Sequence, residues 1–169
     1  MSAVLAHRGP DDHGLYTDPA AGIGLAHRRL AILDLSPAAH QPMWDLAGRA
    51  VITYNGEIYN FRELRAELLA DGFALQSQSD TEVLLNLYLR DGEAMLARLS
   101  GIFAFAIWHP ERRTLLVARD GLGVKPLYYH ASAQGFLFAS ELKALLCARE
   151  IERRLDPEAV HDHMSFLWC

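Results

Sequence analysis

Three consecutive residues, Asn55, Gly56 and Glu57, bring together an amide side chain, a glycine N–H and a carboxylate. Two neutral hydrogen-bond donors beside an anion could stabilise an oxyanion and hold an ammonium group. The β-branched and aromatic residues at 51–54 predict a strand in front of them. Because Asn-Gly readily takes positive φ, we expect the strand to break at this pair and a helix to begin at Asn60. On these residues alone, a purely structural turn is an equally good interpretation.

Further candidates lie on either side of this stretch. Arg28 and Arg29 are adjacent, so on a strand one would face solvent while the other could face a pocket. Asp80 belongs to Ser79-Asp-Thr-Glu82, which has the spacing of a capping box at the start of a helix. The carboxylate of Asp80 could therefore bind a ligand, or it could only stabilise the first turn of that helix.

Two other polar groups favour structural interpretations. Arg119, Asp120 and Lys125 could form a polar site, but an ion-paired turn between two hairpins explains them better. His161 and His163 have a metal-like spacing, yet residues two apart on a helix do not share a face. We therefore predict no metal site in this chain.

Composition narrows the class of protein. At 169 residues, with 51% apolar and 22% charged residues, the chain matches one globular domain. A net charge of −5 and a pI near 5.9 argue against a nucleic-acid-binding surface. The longest strongly apolar run, 102–108, is far too short to span a membrane, and the first residues do not resemble a signal peptide. A cytoplasmic protein that binds neither nucleic acid nor membrane is the simplest expectation.

The apolar pattern predicts helices mixed with antiparallel strands, which is typical of an α+β domain. After a polar loop at 7–12, we expect strands at 23–27, 30–33, 51–54 and 73–77, and two hairpins, 102–108 with 114–118 and 127–130 with 136–139. We expect helices from 60 to Asp71-Gly72, from 79 to Gly92, over 93–99, over 140–147, and from Asp156-Pro-Glu158 onward.

Six motifs occur in order across nearly the whole chain. They are His7-Arg-Gly-Pro-Asp11, His27-Arg-Arg-Leu-Ala-Ile32, Asn55-Gly-Glu-Ile-Tyr-Asn60, Ser79-Asp-Thr-Glu82, Arg119-Asp120 with Gly123-Val-Lys-Pro-Leu-Tyr-Tyr129, and Ala139-Ser-Glu-Leu-Lys-Ala-Leu145. Together they resemble the glutaminase domain of glutamine-hydrolysing asparagine synthetases, which are class II glutamine amidotransferases. The residues of the third and fifth motifs are closer to those of asparagine synthetases than to those of sugar-phosphate or purine-pathway amidotransferases.

The resemblance implies an N-terminal-nucleophile hydrolase-like fold, an αββα sandwich of antiparallel sheets, and L-glutamine as substrate. It implies that Arg29 binds the α-carboxylate of glutamine, a task that suits the planar guanidinium. Asn55 and the Gly56 N–H would form the oxyanion hole, and Glu57 and Asp80 would hold the α-ammonium group. The residues that would line the pocket beside Arg29 are Leu30, Ala31, Ile32 and Leu33.

The sequence departs from the family at the nucleophile. Family members begin with a cysteine that attacks the substrate, whereas this chain enters the pattern only at His7. Cys147 is expected to be a buried apolar residue and Cys169 is terminal, so neither is a substitute. We therefore expect a partial domain over 1–169, without the family's first strand and helix and without its synthetase domain.

We expect that this chain does not hydrolyse glutamine by itself. In the complete enzyme, a synthetase domain of the same polypeptide would use ATP and magnesium to amidate aspartate or a related carboxylate. The chain itself would need no cofactor, and a homodimer is possible. The alternative is a catalytically dead glutamine-binding or interaction module that has lost its nucleophile.

Overall fold

The computed structural model describes residues 1–30 and 40–166. Strand β4 (Val51–Ile58) lies at the centre of a four-stranded antiparallel sheet with the order β3-β4-β5-β6. It pairs along its whole length with β5 (Gly101–His109), which pairs in turn with β6 (Thr114–Arg119). On the other edge, β3 (Met43–Trp44) covers only the first two residues of β4. Within residues 1–30 and 40–166, no strand pairs with the rest of that edge.

Helices cover one face of this sheet. They are α1 (Phe61–Ala70), α2 (Asp80–Asp91) and a 3₁₀ helix (Gly92–Arg98). Their apolar side chains pack on alternate residues of β4 and β5, because side chains of a strand point to opposite faces in turn. Fully buried members of this core include Ile52, Leu68, Leu84, Met95 and Ile107.

Two hairpins cover the opposite face of the sheet. One joins β1 (Asp12–Asp18) to β2 (Ile23–Arg29), and the other joins β7 (Tyr128–Ser132) to β8 (Gly135–Ala139). A second apolar core fills the space between the hairpins and the sheet. It contains Leu25, Val51, Ala106 and Trp108, with Phe138 of β8 packed against it.

A last layer of helices covers the hairpins. Helix α3 (Leu142–Leu145) packs on β7 and β8 and contacts the 3₁₀ helix Ser2–Arg8. Leu5, Ala139 and Leu145 form the small core of this layer. The order helix, sheet, sheet, helix is the αββα arrangement with antiparallel pairing that the resemblance implies. Helix α4 (Pro157–Phe166) follows with no buried residue.

Several predicted elements are confirmed. The two hairpins form at the predicted places, and α1 stops at Asp71-Gly72, where Gly72 takes a φ of +85°. Ser79 caps α2 by accepting a hydrogen bond from the Thr81 N–H at 3.0 Å. The predicted strand at 23–27 is longer and ends at Arg29, while 31–33 lies outside the described residues.

The predicted break at Asn55-Gly56 is wrong, because β4 continues as an extended strand to Ile58. The backbone of β5 pairs with this part of the strand and overrides the local turn preference of Asn-Gly. Gly56 is needed for close packing instead of positive φ. A Cβ there would clash with the carbonyl oxygen of Ile102 and come within 2.7 Å of the Phe103 Cα.

A smaller expectation about local structure is also wrong. Residues 73–77 form no strand, because the Glu82 carboxylate accepts hydrogen bonds from the N–H groups of Gln76 and Ser77, each at 2.8 Å. Asn60 precedes α1 but makes no capping hydrogen bond. Its amide instead bridges the loop before β5, accepting from Ser100 N at 3.0 Å.

The region 7–12 is only partly the predicted loop, since the 3₁₀ helix extends to Arg8. Cys147, predicted to be buried, is exposed, because α3 ends at Leu145 and leaves the thiol on the surface. Within the described ranges, no helix is long and apolar enough to cross a membrane.

Candidate active site

The register of the sheet shows which backbone N–H groups of β4 point away from β5. Phe103 directs both backbone groups toward β6, donating its N–H to Asp120 Oδ2 at 3.2 Å and accepting from Asp120 N at 2.8 Å. Its partner on β4 is Gly56, so this pair is not hydrogen-bonded. Because hydrogen-bonded and open pairs alternate, Tyr54, Gly56 and Ile58 all direct their N–H groups away from β5.

Side chains occupy the outward N–H groups on both sides of Gly56. The Tyr54 N–H donates to Gln41 Oε1 at 2.6 Å, and the Ile58 N–H donates to Asp80 Oδ2 at 3.1 Å. Among residues 1–30 and 40–166, no acceptor takes the Gly56 N–H. The edge therefore presents one open donor between two filled ones.

Asp80 is attached to β4 at two points. Besides the Ile58 N–H, its Oδ2 accepts a hydrogen bond from the Tyr54 hydroxyl at 2.7 Å. Burial, and then the charge of Asp80, raise the pKa of Tyr54 above its ordinary value, so the phenol keeps its proton and donates it. Asp80 is also the first residue of α2, where the helix dipole favours a negative charge. Both hydrogen bonds end on Oδ2, and none of those described ends on Oδ1.

Strand β2 lies across β4 and brings the predicted arginine toward the site. Thr53 Oγ1 donates to the Ala26 carbonyl at 3.4 Å, and His27 Nε2 donates to the Tyr54 carbonyl at 3.0 Å. The two contacts advance in the same direction along both strands, so Arg29 lies further toward the end of β4 that carries Asn55–Glu57. Arg29 is half-buried, and its carbonyl accepts from Asp11 N at 3.1 Å.

The remaining predicted residues are placed by the alternation of β4. Thr53 faces β2, so Asn55 and Glu57 direct their side chains to the same face. Glu57 is exposed and Asn55 is half-buried. Leu30 is 54% exposed, and Ala31, Ile32 and Leu33 lie outside the described residues.

His27 is electrostatically unusual. Burial lowers its pKa to about 4, and the nearby charge of Arg29 acts in the same direction. The imidazole is therefore neutral at neutral pH. Because the Tyr54 carbonyl can only accept a hydrogen bond, Nε2 carries the proton.

Sequence reasoning missed Gln41 and Tyr54, which shape the edge of the site. Gln41-Pro42 indicated only a loop, and Tyr54 indicated only a strand. A buried side chain with a long-range partner leaves no local signal in a single sequence. The one available clue was that Tyr54 directly precedes Asn55.

The predicted ion-paired turn is held by hydrogen bonds to the backbone instead. Asp120 accepts from the N–H groups of Phe103, Val124 and Lys125 at 2.9–3.2 Å. These bonds lower the pKa of the Asp120 carboxyl. Arg119 donates to the Lys125 carbonyl at 2.8 Å. The turn thus supports the residue of β5 that faces Gly56.

The described part of the chain contains no group of three or more metal-binding side chains placed to hold an ion. His161 instead contacts Asp162 on the exposed helix α4, at 3.6 Å. None of the residues placed at the β4 edge is a cysteine. The Cys147 thiol donates to the Lys143 carbonyl at 3.4 Å, and Cys169 is outside the described residues.

Comparison with solved structures defines the class of protein. The glutamine phosphoribosylpyrophosphate amidotransferase of B. subtilis superimposes with a TM-score of 0.60 at 28% identity, over 72% of this chain and 28% of that one. An allosteric regulatory enzyme of purine biosynthesis matches with a TM-score of 0.62 at 28% identity, over the same shares of the two chains. The fold is that of the N-terminal-nucleophile amidotransferases.

Sequence comparison then gives the family. A family model described as "Glutamine amidotransferase domain" matches residues 1–169, and the chain belongs to that family. Asparagine synthetase [glutamine-hydrolyzing] 3 of Bacillus subtilis is 43% identical over 158 residues, covering 92% of this chain and 25% of the relative. Asparagine synthetase B of Escherichia coli is 44% identical over 147 residues, covering 86% and 26%. The chain thus spans about a quarter of the length of these relatives.

Proposed function

We propose that this chain is the glutaminase domain of an asparagine-synthetase-like amidotransferase that releases ammonia from L-glutamine. The observation that carries the proposal is the N–H of Gly56, which no acceptor takes among the described residues, on the edge of β4 where Asp80 accepts the Ile58 N–H. An open backbone donor next to a fixed anion suits a ligand that has both a carbonyl oxygen and an ammonium group. Glutamine has both.

The α-amino acid end of glutamine would be bound by three charged side chains. Arg29 would pair with the α-carboxylate through its guanidinium, while Glu57 and Asp80 would accept hydrogen bonds from the α-ammonium group. In this arrangement Asp80 would use Oδ1 for the ligand, since Oδ2 accepts the hydrogen bonds from β4. Leu30 would contribute to the pocket wall beside Arg29, and the other residues that the resemblance assigns to this wall, Ala31, Ile32 and Leu33, lie outside the described residues.

The δ-amide end would be placed at the open donor. A thiolate would attack the δ-carbon, and the carbonyl oxygen would become an oxyanion held by the Asn55 amide and the Gly56 N–H. Collapse of this intermediate breaks the C–N bond, and the nitrogen leaves as ammonia after taking a proton. Water then hydrolyses the thioester to glutamate and free thiol. Removing one oxyanion donor typically costs about 2.7–4 kcal/mol of transition-state stabilisation.

The thiolate would come from outside the residues described at this site. We propose that residues 1–169 form one glutamine amidotransferase domain, which alone binds glutamine without turning it over. Ammonia would pass to a synthetase domain of the same polypeptide, where ATP and magnesium support amidation of aspartate or a related carboxylate. The identities of 43–44% to asparagine synthetases, against 28% to the purine-biosynthesis enzymes, favour this acceptor class. A cytoplasmic location is part of the same proposal.

Titration of the 169-residue chain with L-glutamine, followed by NMR or calorimetry, tests the binding step. We expect saturable binding, and we expect Asp80→Asn to weaken it about tenfold, because one ion pair at a partly buried site is lost. Asp156→Asn is the matched control, since Asp156 also lies at a helix start and accepts from Glu158 N at 2.9 Å. No preference for L- over D-glutamine, or equal effects of the two substitutions, would contradict the proposal.

A glutaminase assay on the same chain tests the source of the nucleophile. We expect no ammonia release above background. Turnover that Cys147→Ser or Cys169→Ser abolishes would place the nucleophile within these residues and refute that part of the proposal. Binding without turnover in the complete natural protein would instead favour the dead glutamine-binding module.

A further inference from the structure

Gln41 connects the two sides of the candidate site. Its side chain is 7% exposed and lies between the edge of β4 and the start of α2. Oε1 accepts the Tyr54 N–H at 2.6 Å, and Nε2 donates to Thr81 Oγ1 at 3.4 Å. Tyr54 precedes the proposed oxyanion donors, and Thr81 follows Asp80. One buried amide therefore contacts a neighbour of each half of the site.

We propose that Gln41 is a positioning residue for glutamine binding. By accepting the Tyr54 N–H it leaves the Gly56 N–H as the open donor among the described residues of this edge, and it sets the spacing of that donor from Asp80. The inference rests on the proposed function. Strand β3 pairs only with Val51 and Ile52, so the next outward N–H, that of Tyr54, has no strand partner. Without Gln41, Tyr54 would present a second open donor to the ligand oxygen. With Gln41, a carbonyl group can dock at Gly56 alone.

The backbone at Gln41 is itself held in place by β1. Gly14 of β1 packs directly against the Gln41 carbonyl oxygen, and a Cβ at position 14 would also come within 2.8 Å of His40 Nε2. The preceding residue, His40, is linked to Asp12 of β1 through Nδ1 and Oδ2 at 2.8 Å. Because the backbone of Gln41 is held in this way, its side-chain amide can set the distance between the edge of β4 and the start of α2.

A purely structural amide would have a different signature. Such a residue stabilises the fold, and its loss would weaken ligand binding only as much as any equally destabilising change. A positioning residue changes ligand affinity beyond its effect on stability. Asn86 provides the comparison, because it is 5% exposed, lies on α2, and donates to the Glu82 carbonyl at 2.9 Å.

The test compares L-glutamine affinity in Gln41→Met and Asn86→Leu, which each replace a buried amide by an apolar group of similar size. We expect Gln41→Met to weaken binding about tenfold and Asn86→Leu to leave it within about twofold, at matched losses of thermal stability. Gln41→Glu should restore most of the affinity, because its two oxygens can accept from Tyr54 N and from the Thr81 hydroxyl. Thr81→Val, a milder change, should weaken binding in the same direction.

NMR of the backbone amides gives a readout independent of affinity. In the original chain, glutamine should shift the Gly56 amide signal and leave Tyr54 protected from hydrogen exchange. In Gln41→Met, the Tyr54 amide should exchange faster and should itself respond to glutamine. Equal affinities of the original chain and Gln41→Met, or equal weakening by Asn86→Leu, would overturn the inference alone. Absence of glutamine binding in the original chain would overturn it together with the proposed function.

Discussion

The half-buried imidazole of His27 predicts a measurable dependence of stability on pH. In the folded chain, its Nε2–H donates to the Tyr54 carbonyl, and burial lowers its pKa to about 4. In the unfolded chain the pKa returns to the ordinary value near 6.5. Between these two values the unfolded state binds more protons than the folded state. The contribution of the neutral His27 to stability is therefore fully present above about pH 6.5 and is lost as the pH falls toward 4.

The size of this loss of stability follows from the difference of about 2.5 units between the folded and unfolded pKa of His27. At 1.36 kcal/mol per unit, the full effect is about 3 kcal/mol. Integrating the two titrations gives a loss of about 2 kcal/mol between pH 7 and pH 5. The carboxyl of Asp12, whose pKa is lowered mainly by its hydrogen bond to His40, adds a loss in the same direction but at lower pH. The range from pH 7 to 5 is thus dominated by His27.

Urea unfolding at pH 7, 6 and 5 measures this effect, with His27→Gln as the comparison. Glutamine can keep a donor near the Tyr54 carbonyl but does not titrate, so the variant should lose about 2 kcal/mol less between pH 7 and pH 5. At pH 7 the variant should be the less stable protein, because its packing is altered. Parallel stability curves for the two proteins would refute a buried neutral imidazole at this position.

Three further substitutions, two of them with a matched control, test the packing of the sheet and its helices by unfolding and hydrogen exchange. Gly56→Ala should cost about 1–3 kcal/mol because its Cβ meets the backbone of β5, whereas Gly24→Ala, with open space around it, should change stability by about 0.5 kcal/mol or less. Leu68→Ala, at 0% exposure, should cost about 2–5 kcal/mol, while Leu69→Ala, at 49%, should cost about 0.5 kcal/mol or less. Asp120→Ala should accelerate exchange of the amides that its carboxylate accepts, and unchanged exchange would contradict the role given to this turn.

The sequence predicted those elements whose determinants are local. The hairpin of β5 and β6 follows from two apolar runs with a polar turn between them, and it forms as expected. The start of α2 follows from Ser79, whose hydroxyl caps the helix. In both cases, a few neighbouring residues decide the structure.

The wrong predictions share a different cause, namely backbone groups that find distant partners. Asn55-Gly56 has a turn preference, but pairing with β5 keeps it extended. Residues 73–77 have a strand-like composition, yet the Glu82 carboxylate takes the N–H groups that a ladder would need. A tertiary partner that supplies several hydrogen bonds outweighs a local preference of a fraction of a kcal/mol. A single sequence contains no record of which partner is available.

The candidate site is explained better by an extended strand than by the turn that the sequence suggested. An unpaired strand edge exposes a row of N–H groups, which ordinarily invites pairing with another chain. Here Gln41 and Asp80 fill the positions on either side of Gly56. Residues two apart on a strand place the N–H groups of Gly56 and Ile58 about 7 Å apart. The four carbons of glutamine between its α-nitrogen and its δ-oxygen can span the gap from Asp80 to Gly56. The spacing of residues along β4 would therefore select a substrate of this length.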